Sequence, residues 1–370
     1  MNKLQLPAAF AMAVSITIAL GVPNAQAADG VSIFATGFNN PRGLKFGPDG
    51  YLYVAEAGLG GTRSTMGLCE QVPTPPGPYT GGRTARISKV DPKGQRTTVA
   101  DHLPSAGTGS GGNNNAEGVS DIAFIGEEMY ALIAGGGCSH GNPDFPAGVI
   151  RVNRHNGTWK LIADLSAFFA AHPVAHPNPP DFEPDGTLFS MVAVHHKLYA
   201  IEPNQGRLLE IKPENGKVRQ LVDFSASEGH IVPTAVVFDG VFRVGNLNTF
   251  PIVPGSGKIL DVTKRGRITD KLPGFTAITG LALDSGDNLF VLELSTAPGG
   301  PMPGAGELVL SRDDRIEEIL TGLTFPAGNM AFGPDGALYL SNFSAIPTPG
   351  AGQIVRVEVE SPEDAGADTN

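Results

Sequence analysis

NPRGLKFGPDGYLYVAEAG, residues 40–58, is the stretch that decides the fold. A short apolar run leads into Gly-Pro-Asp-Gly, and a second run with alternating apolar and polar side chains leads out. Period-two alternation across a turn of that chemistry signals a β-hairpin. The phrase returns at residues 326–343 as PAGNMAFGPDGALYLSNF. Two copies of one hairpin at opposite ends of a chain make internal repetition the first thing to trace.

Anchored on the second strand of that hairpin, six units emerge. They are YLYVAE (51–56), EMYALI (128–133), KLYAIE (197–202), VFRVGN (241–246), NLFVLE (288–293) and ALYLSN (337–342). An apolar strand precedes each, and a second hairpin follows each of the first five, as in GVIRVNRHNGTWKLIADL (148–165). Every unit therefore reads as four strands, a to d. The sixth is one short, because after IVRVEV (354–359) the chain turns acidic. VSIFATGF (31–38) resembles the fourth strands elsewhere, for example IEEILTGL (316–323). The expected fold is all-β: a six-bladed β-propeller of four-stranded blades over residues 28–360, its ring closed by the N-terminal strand.

Composition agrees with that class. The 49 Gly and 31 Pro of the 370 residues fall between apolar runs, as turn punctuation of a β protein. A net charge of −11 argues against nucleic acid or an anionic membrane as partner. Residues 1–27 read as a cleaved export signal: Lys3, an apolar stretch at 10–20, then Ala25-Gln26-Ala27. No membrane insertion is expected once it is removed, and the chain is expected to work outside the cytoplasm, periplasmic or secreted. Residues 361–370 are expected to be a disordered acidic tail. Cys69 and Cys138 lie in equivalent insertions of blades 1 and 2, and in an oxidising compartment they are expected to pair.

Turn lengths separate the two faces of the ring. The a–b and c–d turns are tight, whereas long insertions at 59–83, 104–117, 135–146, 171–185, 247–255 and 297–306 all fall on the other face. Loops with room to vary on a rigid scaffold carry function, so that face is the candidate working surface.

Two rings of side chains are expected at the mouth of the shaft there. The ends of strands b place Glu56, Ile133, Glu202, Asn246, Glu293 and Asn342 in register, and the starts of strands a place Arg42, Ser120, Ser190, Thr234, Thr279 and Gly328. Three readings of the first ring stand open. Glu56, Glu202, Asn246, Glu293 and Asn342 either accept backbone N–H groups, hold a hard cation such as Ca²⁺, or include a proton-transfer group. Glu202, Glu293 and His230 are the candidates for the last role. Arg42, Ser120, Thr234 and Thr279 are the candidate ligand contacts. Trp159, the sole tryptophan, is expected to pack between blades, and His195 and His196 to be solvated in a far-face turn.

The phrases at 40–58, 232–259 (VPTAVVFDGVFRVGNLNTFPIVPGSGKI) and 278–294 (ITGLALDSGDNLFVLEL) resemble the ScyD/ScyE family of exported propellers. The likeness spans nearly the whole mature chain, and blade 3, EPDGTLFSMVAVHHKLY (183–199), departs from it. It implies an extracytoplasmic accessory role in handling secondary metabolites. More distantly the blades resemble NHL-repeat, gluconolactonase-like and strictosidine-synthase-like propellers. The gluconolactonase-like group implies a divalent metal at the shaft mouth. Three functions follow as expectations: a small-molecule-binding accessory protein, a Ca²⁺-dependent hydrolase of lactone or ester type, or a protein-interaction platform.

Overall fold

The GPDG hairpin forms as expected, and its chemistry shows why it recurs. In the computed structural model, which describes residues 30–109, 114–312, 315–346 and 348–359, Gly50 closes the first turn with φ +77°. Its N–H donates to Gly47 O at 2.9 Å. Asp49 in the turn accepts from the Tyr53 hydroxyl at 2.9 Å and from Lys89 at 2.9 Å. The copy in blade 6 repeats this: Asp335 accepts from the Tyr339 hydroxyl at 3.0 Å and from Arg356 Nε at 2.9 Å. Each turn is thus tied to the two strands beside it.

Six antiparallel sheets follow in chain order. Blade 1 comprises Pro41–Phe46, Leu52–Glu56, Thr80–Val90 and Arg96–Thr108, with a short extra strand, Asn114–Glu117. Blades 2 to 5 begin at Val119–Ile125, Met191–Val194, Pro233–Phe238 and Ile278–Leu283. Blade 6 takes three strands from the C-terminal end, Met330–Phe332, Leu338–Asn342 and Gly352–Val357. Its fourth is Val31–Phe38, paired antiparallel from Val31 opposite Val357 to Phe38 opposite Gly352. Each inner strand touches the next, and that of blade 6 touches that of blade 1. The ring is closed, as the missing and spare strands require.

Apolar side chains on both faces of each sheet pack between blades. Tyr53, Ile87, Ile122 and Met129 bury blade 1 against blade 2, and Leu292, Leu308, Leu338 and Val355 bury blade 5 against blade 6. Twisted sheets meeting face to face in this way bury their apolar side chains between blades. The one α-helix among the described residues, Leu165–Ala171, is capped by the Asp164 side chain. No helix among the described residues is long and apolar enough to cross a membrane. The segments expected to be an export signal, 1–27, and a disordered acidic tail, 361–370, lie outside the described residues.

Candidate functional site at the loop face

The ends of strands b do one repeated job. In four of the six blades a side-chain oxygen accepts a backbone N–H from the corner that leads into its own blade. Glu56 accepts from Asn39 at 2.7 Å, Glu202 from Thr187 at 3.3 Å, Glu293 from Thr276 at 2.8 Å and Asn342 from Thr324 at 2.8 Å. Asn246 makes the equivalent link with reversed polarity, donating to Ile231 O at 2.9 Å. Glu56 is further enclosed by Arg86, Ser88 and Arg96. Glu202 also receives the N–H groups of Asn204 and Gln205. These oxygens fasten each corner to its own sheet, and among the described residues no group of three or more His, Cys, Asp or Glu side chains gathers to hold a metal ion. The donor set does not fit the calcium cage expected at the mouth, because its oxygens are already engaged one blade at a time.

The starts of strands a also act architecturally, between neighbouring blades. Ser190 Oγ donates to Thr234 O at 2.7 Å, Thr234 Oγ1 to Ile278 O at 2.6 Å, and Thr279 Oγ1 to Pro326 O at 2.7 Å. Arg42 joins blade 1 to blade 6 with Nη1 on Ala327 O and also reaches Ala116 O with Nη2, both at 2.8 Å, whereas Ser120 Oγ donates within its own blade, to Leu132 O at 3.3 Å. Gly328 breaks the hydroxyl pattern because a Cβ there would lie 2.1 Å from Ser341 Oγ and 2.5 Å from Arg42 O. Thr234 and Thr279 are buried in these staples and do not line the mouth cavity; Arg42 and Ser120 do.

That cavity is small. Arg42, Glu117, Ser120, Leu188, Phe189 and Asn329 enclose about 10 Å³, room for about one water molecule. Glu117 is its only carboxyl, supplied by the second insertion. Burial pushes the Glu117 carboxyl up to about 7 against the pull of Arg42, with Glu183 adding to the rise. Two of the five guanidinium N–H groups of Arg42 are used on carbonyls, which leaves three for other acceptors.

Behind Glu117 stands a second layer. His140 Nε2 meets Glu183 Oε2 at 3.0 Å, with Thr187 on the same oxygen. Tyr79 packs on the His140 ring at 5.0 Å between centroids. Burial alone would lower the His140 pKa, but the Glu183 carboxylate overcomes it and the net shift is upward. Burial, with Glu183 and Glu117, raises Tyr79 well above the usual phenol range. The Cys69–Cys138 disulfide ends two residues before His140 and joins the insertions of blades 1 and 2. Thr65 Oγ1 donates to Cys138 O, and Asn142 Nδ2 donates to Ser105 O and Gly135 O. On the next blade His230 Nε2 lies 2.8 Å from Asp181 Oδ2, partly exposed. His230 therefore sits at the rim with an acidic partner, apart from Glu202 and Glu293.

Glu117, His140, Glu183 and Tyr79 escaped the sequence reading because none lies at a repeated position. The signals were faint: a histidine two residues past a pairing cysteine, and acids at every second position from Asp181 to Asp185. Elsewhere, His195 and His196 are exposed in their turn as expected. Trp159 is not packed between blades. It is 37% exposed and meets Phe145 edge-on at 5.0 Å, because the outermost strand of blade 2 has no further sheet to cover it.

No family model matches the chain, and no curated protein matches it in sequence. Solved structures do match. An aldose sugar dehydrogenase from Streptomyces coelicolor, in its PQQ-bound form, is 14% identical over 89% of this chain and 98% of its own, with a TM-score of 0.53. A putative glucose dehydrogenase-type oxidoreductase from Thermus thermophilus is 16% identical over 89% and 99%, TM-score 0.52. A gluconolactonase from Xanthomonas campestris is 9% identical over 89% of both, TM-score 0.51. At these identities the likeness is one of fold, and the fold is the six-bladed propeller.

Proposed function

We propose that this protein is an exported propeller that hydrolyses a small lactone or ester at its loop-face mouth. A water in the Arg42–Glu117 recess is the nucleophile, and the substrate lies over it. One observation carries the reading: a carboxyl with a pKa of about 7 shares a water-sized cavity with a buried guanidinium. A base works best when its pKa lies near the working pH, so Glu117 is suited to take a proton from that water. The free N–H groups of Arg42 would then face the charge that develops on the carbonyl oxygen. His140 and Glu183 are positioning residues, holding the insertions in place behind Glu117.

Export is supported by the Ala25-Gln26-Ala27 pattern and by the disulfide, which persists only in an oxidising compartment. The chemistry proposed needs no calcium, in contrast to the metal-dependent hydrolase that the resemblance implies. The resemblance to the ScyD/ScyE family supports a place in secondary-metabolite handling.

A non-catalytic accessory role is the second reading, favoured by how many mouth residues serve the ring itself. A panel of lactones and aryl esters offered to the mature protein separates the two. Turnover that Glu117→Gln removes, with substrate affinity retained, supports hydrolysis; binding without turnover supports the accessory role. A protein platform draws on Met66, Leu68, Phe250, Val253 and Met302, all exposed in loop-face insertions.

A further inference from the structure

The other end of the shaft is a larger cavity that neither ring of site residues touches. It encloses about 320 Å³ between residues of all six inner strands, within the size range of small-molecule sites. Most of the residues around it are apolar, with Phe46, Val192, Phe238, Leu283 and Phe332 partly exposed to it, while polar atoms make up about half of the exposed surface. Three of the rings are braced from behind by other aromatics: Phe46 by Tyr339 at 5.1 Å, Phe238 by Phe242 at 4.9 Å and Phe332 by Phe290 at 5.3 Å. The wall is therefore preformed, so a ligand would lose little affinity to ordering it.

Two ionisable residues share this wall, and only one is free to act on a ligand. Asp121 is 2% exposed, and its two oxygens accept the N–H groups of Ile122 at 2.8 Å and Met191 at 2.7 Å. It ties blade 2 to blade 3, and blade 1 packs against it so closely that a Cβ on Gly43 would fall 2.1 Å from its Oδ1. Lys45 is exposed in the cavity. Among the described residues its ammonium makes no ion pair within 4.0 Å. A second cation, Lys264, lies over the Phe238 ring at 5.0 Å.

We infer that this far-face cavity binds a small amphipathic anion, with an aromatic or alicyclic body among the phenylalanines and one carboxylate or phenolate on Lys45. A charged donor that meets an anion away from bulk water forms a strong hydrogen bond, whereas a neutral alcohol keeps the apolar contact and accepts only a weaker bond. The overall negative charge of the chain is screened over about 8 Å at physiological salt, and the nearby acid Asp121, on which Lys45 also acts, has its two oxygens taken up by backbone N–H groups, so Lys45 sets the local preference.

The test is calorimetric titration of the mature protein with naphthalene-2-carboxylate and with uncharged 2-naphthalenemethanol. The carboxylate is expected to bind more tightly. Lys45→Met should weaken it about tenfold and leave the alcohol within about twofold, and Lys45→Glu should weaken the carboxylate further. Phe238→Ala should weaken both compounds, with its melting temperature confirming that it folds. Carboxylate binding that Lys45→Met and Lys45→Glu leave intact, or no saturable binding to the wild-type protein, overturns the proposal.

Discussion

The carboxylate of Glu56 accepts the backbone N–H of Asn39 at 2.7 Å, across a separation of 17 residues. It is fully buried, with Arg86 on both its oxygens at 2.8 and 2.9 Å. Glu56→Gln removes the charge but keeps the shape, leaving Arg86 and Arg96 without their counter-ion. The expected cost is about 2–4 kcal/mol in urea unfolding. Asn342→Ala, which frees only the N–H of Thr324, should cost about 1–2 kcal/mol. Chelator should leave the melting temperature unchanged; a clear drop would return these residues to the role of metal ligands.

The latch gives a second expectation. Val31–Phe38 is the outer strand of the blade formed by the C-terminal end, and Phe38 within it is fully buried. Deleting it exposes the edge of Gly352–Val357 and opens the ring. The truncated protein should lose cooperative unfolding and aggregate, as monitored by light scattering during a thermal ramp. A truncation that melts like the full chain would contradict closure by this strand.

Stability should depend on pH through buried acids. Burial pushes Glu293 up to about 8, against the Thr276 N–H and with help from Glu307. Burial also pushes Asp121 and Glu202 up to about 7, against the N–H groups they accept. Unfolded carboxyls release their protons near pH 4. Between that value and 8 the folded chain binds more protons than the unfolded one, so stability falls as pH rises. This contribution is complete below about pH 4 and lost above the folded values. Each group adds a slope of at most about 1.4 kcal/mol per pH unit while it alone titrates. Glu293→Gln should flatten the fall between pH 6 and 8.5 in melting scans, and an unchanged slope would mean that Glu293 is ionised throughout.

The disulfide closes a loop of 69 residues and anchors the insertion that carries His140. Cys69→Ser with Cys138→Ser should cost about 2–4 kcal/mol. Any turnover at the mouth should fall with it, since His140 and Glu183 hold the second layer behind Glu117. Equal activity with and without the bond would remove His140 from a positioning role.

The architecture was legible in the chain because each blade must satisfy the same physics. Alternation, tight turns and a spare N-terminal strand are requirements of a closed ring, and all three are written in local residue types. The same logic misdirects the search for a site. An oxygen that recurs at the end of strand b recurs because each blade has a corner N–H to satisfy, as Glu293 does for Thr276 and Asn342 for Thr324. Glu117, His140 and Glu183 come from insertions of differing length, whose meeting point is set by tertiary packing and one disulfide. Arg42 was visible as a departure among hydroxyls, and it does line the mouth; its staples to Ala116 and Ala327 depend on neighbours distant in sequence. The far-face cavity was missed because its walls are ordinary core residues until the ring closes around them.

The proposed chemistry rests on Glu117 and is tested most directly by the pH dependence of kcat/KM for a hydrolysed lactone or aryl ester. In the wild-type protein the rate should rise through pH about 7 as Glu117 loses its proton. In Glu117→Gln that limb should vanish and the rate fall by about 10²–10⁴. A variant that keeps the wild-type rate and profile, or a wild-type protein that hydrolyses none of the panel, contradicts the assignment.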